Sequence, residues 1–377
     1  MGADMDQLKI FTGEENNISL SVTCPCNFLS YGKVGIHILD SLVKIGATIK
    51  WFPIGQTECD PLYNSLLQNI YSTPLDKAAD SLRIYHQFDL LHHVGKGRHI
   101  GWPIFELNRF RKIESEHLRG QDLLIVCSQW AKQVIEDNYI YTPTSVVPLG
   151  IDPDVYFPKN NLPRQDNTTK FVTVGKREIR KSFEEMLECF EGAFTPDDDV
   201  HLTVMWASLI LQHSNPKEWD RWAQMFKRSK LASKITLVEW IPNDMEVADT
   251  LRASDCGLFL SKAEGFDLGC LESLACGNEN ITTNYSAHKE YCNEFNSLLV
   301  EIDDLEIAFD GQWFTDTSFG GQWAKFGKNQ KEQTIYHMRE IHKIRQQDGP
   351  LYNPDGVETG KRFTWENSVK KLLGVLT

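Results

Sequence analysis

The chain of 377 residues has no apolar run of the roughly 18 residues that would cross a bilayer as a helix. Its opening, Met1-Gly-Ala-Asp-Met-Asp6, lacks the basic and apolar stretches of a secretory signal, and Asp6 stands where a myristoylation site needs Ser or Thr. A cytoplasmic location is therefore expected. Positive charge is also in short supply: 39 Lys and Arg face 52 Asp and Glu, a net of −13. That argues against broad, sequence-blind binding to DNA or anionic lipid, which depends on neutralising phosphates. The acidity is uneven, −3 over residues 1–150 and −10 over the rest. Cysteines number nine, odd and scattered, with Cys24 and Cys26 as the one close pair. CxC alone is a poor zinc signal, so these are expected to be reduced core residues. No repeat or low-complexity tract is evident. No acidic pair of the DxD kind is placed to hold a metal against a diphosphate. Asp197-Asp-Asp199 follows Thr-Pro ahead of a strand and reads as a solvated loop, so no metal site is expected.

What is present is an ordinary globular composition, 41% hydrophobic and 24% charged, at a length that suits two domains. Strand-like apolar runs alternate with amphipathic stretches of helix length. Ile18–Thr23, Thr48–Phe52, Leu123–Cys127 and Ser145–Val147 read as strands, Val34–Ile45 and Gln129–Asn138 as helices. The polar stretch Phe157–Asn167, with two prolines, reads as a linker. Beyond it Lys170–Val174, His201–Trp206, Ile235–Val238 and Cys256–Leu260 read as strands. Ser182–Phe194, Trp219–Lys230, Met245–Ala253, Leu268–Ala275 and the terminal Phe363–Leu376 read as helices. Two α/β halves follow, each with a parallel sheet, and a ligand cleft between them. The expected division is 1–160, 168–360 and a terminal helix over 361–377 that packs back on the first domain.

Three segments can carry chemistry. In Ser261-Lys-Ala-Glu-Gly-Phe-Asp-Leu-Gly-Cys-Leu-Glu272 a strand ends, a Gly-containing turn follows and a helix begins near Leu268. Glu264 falls in the loop and Glu272 about one turn inside the helix. Free N–H groups at a helix start suit a phosphate. A loop carboxylate can accept hydrogen bonds from sugar hydroxyls, and one inside the helix from a ribose. A purely structural strand–turn–helix is equally open. In Val174-Gly-Lys-Arg-Glu-Ile-Arg-Lys-Ser182, Lys176, Arg177, Arg180 and Lys181 gather four positive charges where a strand hands over to a helix. That suits a diphosphate; a solvated basic turn is the plainer reading. Tyr31-Gly-Lys-Val-Gly35 follows the first strand, and a GxxG turn opening a helix can approach a phosphate. A plain tight turn fits it at least as well.

Together these segments resemble the retaining GT-B glycosyltransferases, and within them glycosyltransferase family 4. Glu264-x7-Glu272 looks like the EX7E motif of those enzymes. Ala275–Asn284 looks like their stretch of small residues and a Gly before a strand, and Gly175-Lys176 with Lys181 like their Arg/Lys phosphate pair. Pro148-Leu-Gly-Ile-Asp152 resembles the end of their first domain, and Phe363-Thr-Trp365 the lead-in to the final helix. Gly101-Trp-Pro-Ile-Phe-Glu106 and Cys127-Ser-Gln-Trp130 are similar to a subgroup in which Glu follows an aromatic strand. The likeness runs in order over about residues 18–375.

The resemblance implies an α/β, GT-B fold: two Rossmann-like domains facing a central cleft. It implies a retaining hexosyltransferase that moves a hexose-type sugar from a nucleotide-diphosphate sugar, UDP- or GDP-linked, to a hydroxyl acceptor. No metal and no resident cofactor are implied. Lys176 and Lys181 would bind the diphosphate, with Arg177 beside them; with Glu264, which would contact hydroxyls of the transferred sugar, the two lysines form the catalytic set. Glu272 would hold the ribose. The backbone of Gly265, Phe266, Asp267, Leu268 and Gly269 would meet sugar and phosphates, and Gly32 and Gly35 would close over the donor. Lys176 replaces the commoner Arg and loses its bidentate fork. Asp267 stands where many members have Gly, which bears on sugar preference.

On the acceptor side, Glu106 stands where relatives place a His. His92 and His93, read as following a strand end at Phe88–Leu91, and Trp102 and Trp130 join it. Structural roles are the plainer alternative for both histidines and both tryptophans. Lys96–Arg119 is net +3 with Trp102, Phe105 and Phe110 interleaved. It can meet a phosphorylated, lipid-linked or nucleic-acid acceptor, or form a mixed-charge helix surface. Two further readings stay open. One is a DNA-base glycosyltransferase acting on hydroxymethylated bases, which must be extruded. The other is a non-catalytic nucleotide-sugar-binding protein, against which the intact Glu264, Glu272, Lys176 and Lys181 argue.

Overall fold

Two six-stranded parallel sheets organise the chain in a computed structural model that describes residues 18–158, 166–207, 216–239 and 243–377. The reading of Met1–Asp6 and the centre of the expected linker, 159–165, lie outside the described residues. The first sheet holds β1 (Ser19–Cys24), β2 (Thr48–Pro53), β3 (Asp80–Ile84), β4 (His99–Trp102), β5 (Leu123–Val126) and β6 (Thr144–Val146), ordered β2-β1-β3-β4-β5-β6. The second holds β7 (Thr169–Lys176), β8 (Val200–Ala207), β9 (Ile235–Val238), β10 (Cys256–Phe259), β11 (Glu279–Thr283) and β12 (Leu298–Val300), ordered β12-β11-β10-β7-β8-β9. A small antiparallel pair, β13 (Leu305–Ile307) and β14 (Gln322–Ala324), is appended. The two Rossmann-like α/β halves are those the sequence predicts.

Both faces of the parallel sheets are covered, so both side-chain sets of β1 are buried, Leu20, Val22 and Cys24 as well as Ser21 and Thr23. One hydrophobic cluster runs through both halves, from Val22 and Trp102 to Phe259 and Leu271. All nine cysteines are free, and all but Cys59 are buried. Among the described residues no helix is long and apolar enough to cross a membrane.

Strand order reverses between β1 and β3 in the first sheet and between β7 and β10 in the second. Crevices outside the carboxyl ends of strands at such points are where open α/β sheets take ligands.

Several elements differ from expectation. The first helix runs Ser30–Lys44 and takes in Gly32 and Gly35, so the GxxG segment lies in its first turns. A Cβ at Gly32 would fall 2.2 Å from Asn27 O, and one at Gly35 2.1 Å from Pro25 O. The two glycines thus let the helix lie directly on the loop after β1. Phe88–Leu91 is not a strand; β3 ends at Ile84. The terminal helix is Trp365–Leu376, preceded by a separate helix, Pro354–Arg362.

The chain passes between the halves twice, side by side. Ile151 N–H donates to Phe363 O (3.0 Å) and Trp365 N–H to Ile151 O (3.3 Å). Gly150 permits this approach, since a Cβ there would lie 2.1 Å from the carbonyl carbon of Thr364. The terminal helix then packs on helix Ser30–Lys44 of the first half, where Trp365 stacks on His37 with ring centroids 5.1 Å apart.

Candidate functional site

From the end of β10 the chain turns through Ser261–Asp267 into helix Leu268–Ala275. Glu264 is buried in that turn. Its N–H donates to Ser286 Oγ (2.8 Å), which fixes the backbone. Its carboxylate meets Arg180 Nη1 at 2.9 Å and Lys181 Nζ at 2.6 Å. Burial alone would push this carboxyl up. The two cations outweigh it and hold Glu264 well below the usual carboxylate range. It is therefore ionised at neutral pH.

Asp267 caps the same helix with φ 66° and ψ 77°, the left-handed region that glycine occupies without strain. Its side chain is held on both oxygens. Oδ1 accepts from Lys181 Nζ (3.3 Å) and Oδ2 faces His288 Nε2 (3.0 Å). Phe266 turns its ring into the core against Tyr291 and Phe363, and Tyr291 Oη lies within hydrogen-bond reach of the Phe266 and Asp267 carbonyls, 2.9 and 2.8 Å. At Gly265 a Cβ would come 2.4 Å from Ile104 Cγ2 and 3.2 Å from Phe105 O, so the two halves touch here.

The four cations after β7 do different work. Lys176 is exposed at the strand end. Arg177, expected beside the donor, is instead packed into the second core. Its guanidinium lies 3.7 Å from the Trp206 ring centroid and 3.5 Å from Glu239, since a planar cation stacks well on an indole. Arg180 is buried and joins three carboxylates, Glu264, Glu178 (2.9 Å) and Glu106 of the first half (3.9 Å). Sequence reasoning counted Arg180 among the charges but gave it no place in the site. Lys181 stands between Glu264 and Asp267, and Gly175 leaves room for its stem, a Cβ there lying 3.3 Å from Lys181 Cδ.

Glu272 sits inside the helix, buried, with its pKa raised to about 7. Burial is the main cause, Lys33 opposes it and the like charge of Asp244 adds to it. Lys33 is ion-paired with Asp244, which ties helix Ser30–Lys44 to helix Asp244–Arg252 across the cleft. Leu268 and Gly269 lie in the first turn of helix Leu268–Ala275.

The first half presents aromatic rings. Tyr31, Tyr85, His86 and Phe88 cluster outside β1 and β3, with His86 4.5 Å from Tyr31 and stacked on Phe88 at 5.1 Å between ring centroids. Burial and then the charge of Lys176 lower the pKa of His86 to about 4, so it is neutral at pH 7 and faces the second half. Sequence reasoning missed His86 because it placed the strand end at Phe88–Leu91. Glu106 is half-buried, and burial pushes its carboxyl up.

The other acceptor-side expectations fall elsewhere. His93 is bound by Ser81 Oγ (3.0 Å) and Gln121 Oε1 (2.8 Å) and stacks on His99, near the starting ends of the strands. His92 is exposed beside Asp89. Trp102 is wholly buried, its indole N–H directed at Cys127 Sγ (3.4 Å). Phe105 and Phe110 are core residues too, while Trp130 packs on Phe105 and Tyr285. In the basic segment Arg98, Arg111 and Arg119 are paired with Asp80, Glu114 and Glu116. Asp198 and Asp199 satisfy Thr195 and Thr168 before β8, at the end of the sheet away from the cleft. Among the described residues no three His, Cys, Asp or Glu side chains converge to hold a metal ion.

Residues 168–310 match the family model described as Glycosyl transferases group 1. No curated protein sequence matches the chain significantly. Solved structures do match its fold. Sucrose-phosphate synthase from Thermosynechococcus elongatus superposes with a TM-score of 0.64 at 15% identity, over 96% of this chain and 98% of that one. A trehalose-6-phosphate synthase, solved in work on enzymatic glycosyltransfer with retention, gives 0.65 at 12% identity over 95% and 98%. Anabaena HepE in complex with UDP-glucose gives 0.62 at 12% identity over 96% and 99%. These likenesses establish the GT-B architecture.

Proposed function

Because residues 168–310 form a glycosyl transferases group 1 domain within a GT-B fold, we propose that the protein is a retaining hexosyltransferase. It moves a hexose from a nucleotide-diphosphate sugar to a hydroxyl acceptor. The observation that carries this reading is Glu264, ionised and held between Arg180 and Lys181 at the β7/β10 switch point.

The donor lies over that point. Its diphosphate meets Lys176, Lys181 and the N–H groups opening helix Leu268–Ala275. Its ribose meets Glu272, and its sugar lies beside Glu264. The bond from the sugar C1 to the diphosphate oxygen breaks, and the acceptor oxygen bonds to C1 on the same face. The acceptor proton passes to a departing phosphate oxygen. Fixed cations stabilise the charge that grows on the leaving group, which is how a preorganised site accelerates such a step. No cofactor enters the scheme. Glu264 is tied down by two cations, so it accepts hydrogen bonds from sugar hydroxyls and does not attack C1. The complex of Anabaena HepE with UDP-glucose supports a UDP-hexose donor, and the work on glycosyltransfer with retention in a trehalose-6-phosphate synthase supports retention, both by analogy of fold.

The acceptor side favours a glycan or small hydroxylated molecule. Rings at Tyr85, His86 and Phe88 suit a sugar ring. The DNA-base reading needs a local basic patch, and in Lys96–Arg119 three of the four arginines are paired and the aromatics Trp102, Phe105 and Phe110 are buried. The nine free thiols fit a reducing, cytoplasmic setting.

The test is hydrolysis of UDP-, GDP- and ADP-linked hexoses by the full chain. One donor should turn over, with EDTA making no difference, and Lys181→Ala should lose most of it. Failure to bind or hydrolyse any of the three classes would refute the reading.

A further inference from the structure

His288 lies in the short 3-10 turn Ser286–Glu290 and is wholly buried. Its Nδ1 is 3.0 Å from Thr282 Oγ1, 3.2 Å from Thr283 Oγ1 and 3.1 Å from the Thr283 carbonyl. A carbonyl only accepts. Each hydroxyl has spent its one proton elsewhere: Thr282 Oγ1 donates to Phe259 O (3.2 Å) and Thr283 Oγ1 to Ser261 O (2.6 Å). All three oxygens therefore offer lone pairs to Nδ1, and Nδ1 must carry a proton. Nε2 on the other side of the ring faces Asp267 Oδ2 at 3.0 Å. Asp267 Oδ1 takes the ammonium of Lys181 at 3.3 Å, as a carboxylate does. An unprotonated Nε2 there would set lone pair against lone pair in a buried site.

We propose that His288 is an imidazolium at neutral pH, protonated on both nitrogens, and acts as a positioning residue that neutralises Asp267 and so frees Lys181 for the donor diphosphate. The second half of this statement rests on the glycosyltransferase reading above; the first does not.

Charge balance supports it. Arg180, Lys181 and His288 then stand against Glu178, Glu264, Asp267 and the half-buried Glu106. Without the proton on Nε2 the cluster would carry one further uncompensated negative charge where a dianionic diphosphate must arrive. The groups facing His288 are Asp267 and Glu264 from the turn, Cys270 from the helix, Tyr291 from its own segment and the two threonines of β11. Burial pushes the imidazole down, but the hydrogen bond to Asp267 and the neighbouring negative charges outweigh it, so its pKa is raised. The pair also accounts for a non-glycine residue in the left-handed position at 267: an Asp there is held only if its charge is matched.

Long-range nitrogen–proton correlation of the full chain, labelled with ¹⁵N-histidine, reads the first half directly. The His288 signals are identified by their loss in His288→Asn. At pH 7 both nitrogens should be protonated, and in Asp267→Gly the Nε2 proton should be lost. A bare ring nitrogen in the wild type would overturn the proposal. For the second half, His288→Gln should lower kcat for donor hydrolysis by about tenfold, the scale of one charge-assisted hydrogen bond. The double variant Asp267→Gly, His288→Gln should recover most of that loss. Wild-type rates in the single variant, or a double variant no better than the single, would remove the positioning role. A wild type that hydrolyses no donor would refute the functional reading while leaving the nitrogen spectrum to judge the imidazolium.

Discussion

Outside β7 and β10 the second sheet gathers Lys176, Arg180, Lys181, Glu264 and Asp267; outside β1 and β3 the first sheet gathers Tyr31, Tyr85, His86 and Phe88. Both sets stand at a switch point of a six-stranded parallel sheet, so topology alone does not separate them. Charge does. On the proposed function, one set offers fixed ions for a charged leaving group, the other uncharged rings for a hydroxylated partner. A shared architecture thus gives two half-sites of unlike charge.

The sharpest way to break this division is at Glu264. Glu264→Gln should lower kcat by on the order of 10²–10³, as loss of one preorganised transition-state contact does, and a first-domain variant with a larger effect would invert the comparison. Next is the seam between the half-sites. Gly265→Ala places a methyl 2.4 Å from Ile104 Cγ2. It should cost about 1–3 kcal/mol of stability, read as a lower Tm, with slower donor hydrolysis. His86→Ala should then lower the ratio of transfer to hydrolysis by about tenfold, on the scale of one lost aromatic contact, and leave donor hydrolysis as it was.

Glu272 gives a pH signature. Its folded pKa is raised from 4.5 to about 7. The folded state therefore holds a proton that the unfolded chain has given up. This contribution to stability is complete below the unfolded value and is lost as pH rises through about 7. The Tm of the ligand-free protein should fall across that window, and Glu272→Gln should flatten the slope. UDP, which takes the ionised carboxylate, should bind more tightly above pH 7 than below. The smallest effect belongs to His92→Ala. An exposed residue away from the rings should stay within about 0.5 kcal/mol of wild type and leave the acceptor KM unchanged; a raised KM would return His92 to the acceptor side.

Helix Leu268–Ala275 was readable to the residue, because a buried apolar strand, a Gly-containing turn and a helix follow one another there without interruption. So was the placement of Glu264 in the loop and Glu272 in the helix. Helix Lys328–Asp348 was not, because its buried stripe is Gln330, Thr334, Met338, Ile341 and Arg345. The helical period is present, but mostly polar residues carry it. β3 was hidden for a related reason: Arg83 is buried in it, paired with Asp89 by a turn the sequence does not announce. Trp102 and Arg177 show the limit of residue type as a guide. An indole at a strand end and a guanidinium in a basic run both suit a ligand, and both are held in the core by well-placed partners.

The bridge between Ile151 and Thr364 sets how the cleft can move. Two chain crossings tied to each other act as one edge, like the spine of a book. Swinging about that edge needs small backbone rotations near Gly150 and Phe363, whereas twisting the halves would shear the bridge. Lys33–Asp244 and Arg180–Glu106 both cross between the halves and would have to part for the cleft to open, while the terminal helix is packed on the first half. Such a spine would let the pages part along their free edge, the side on which the substrates of the proposed transfer would enter.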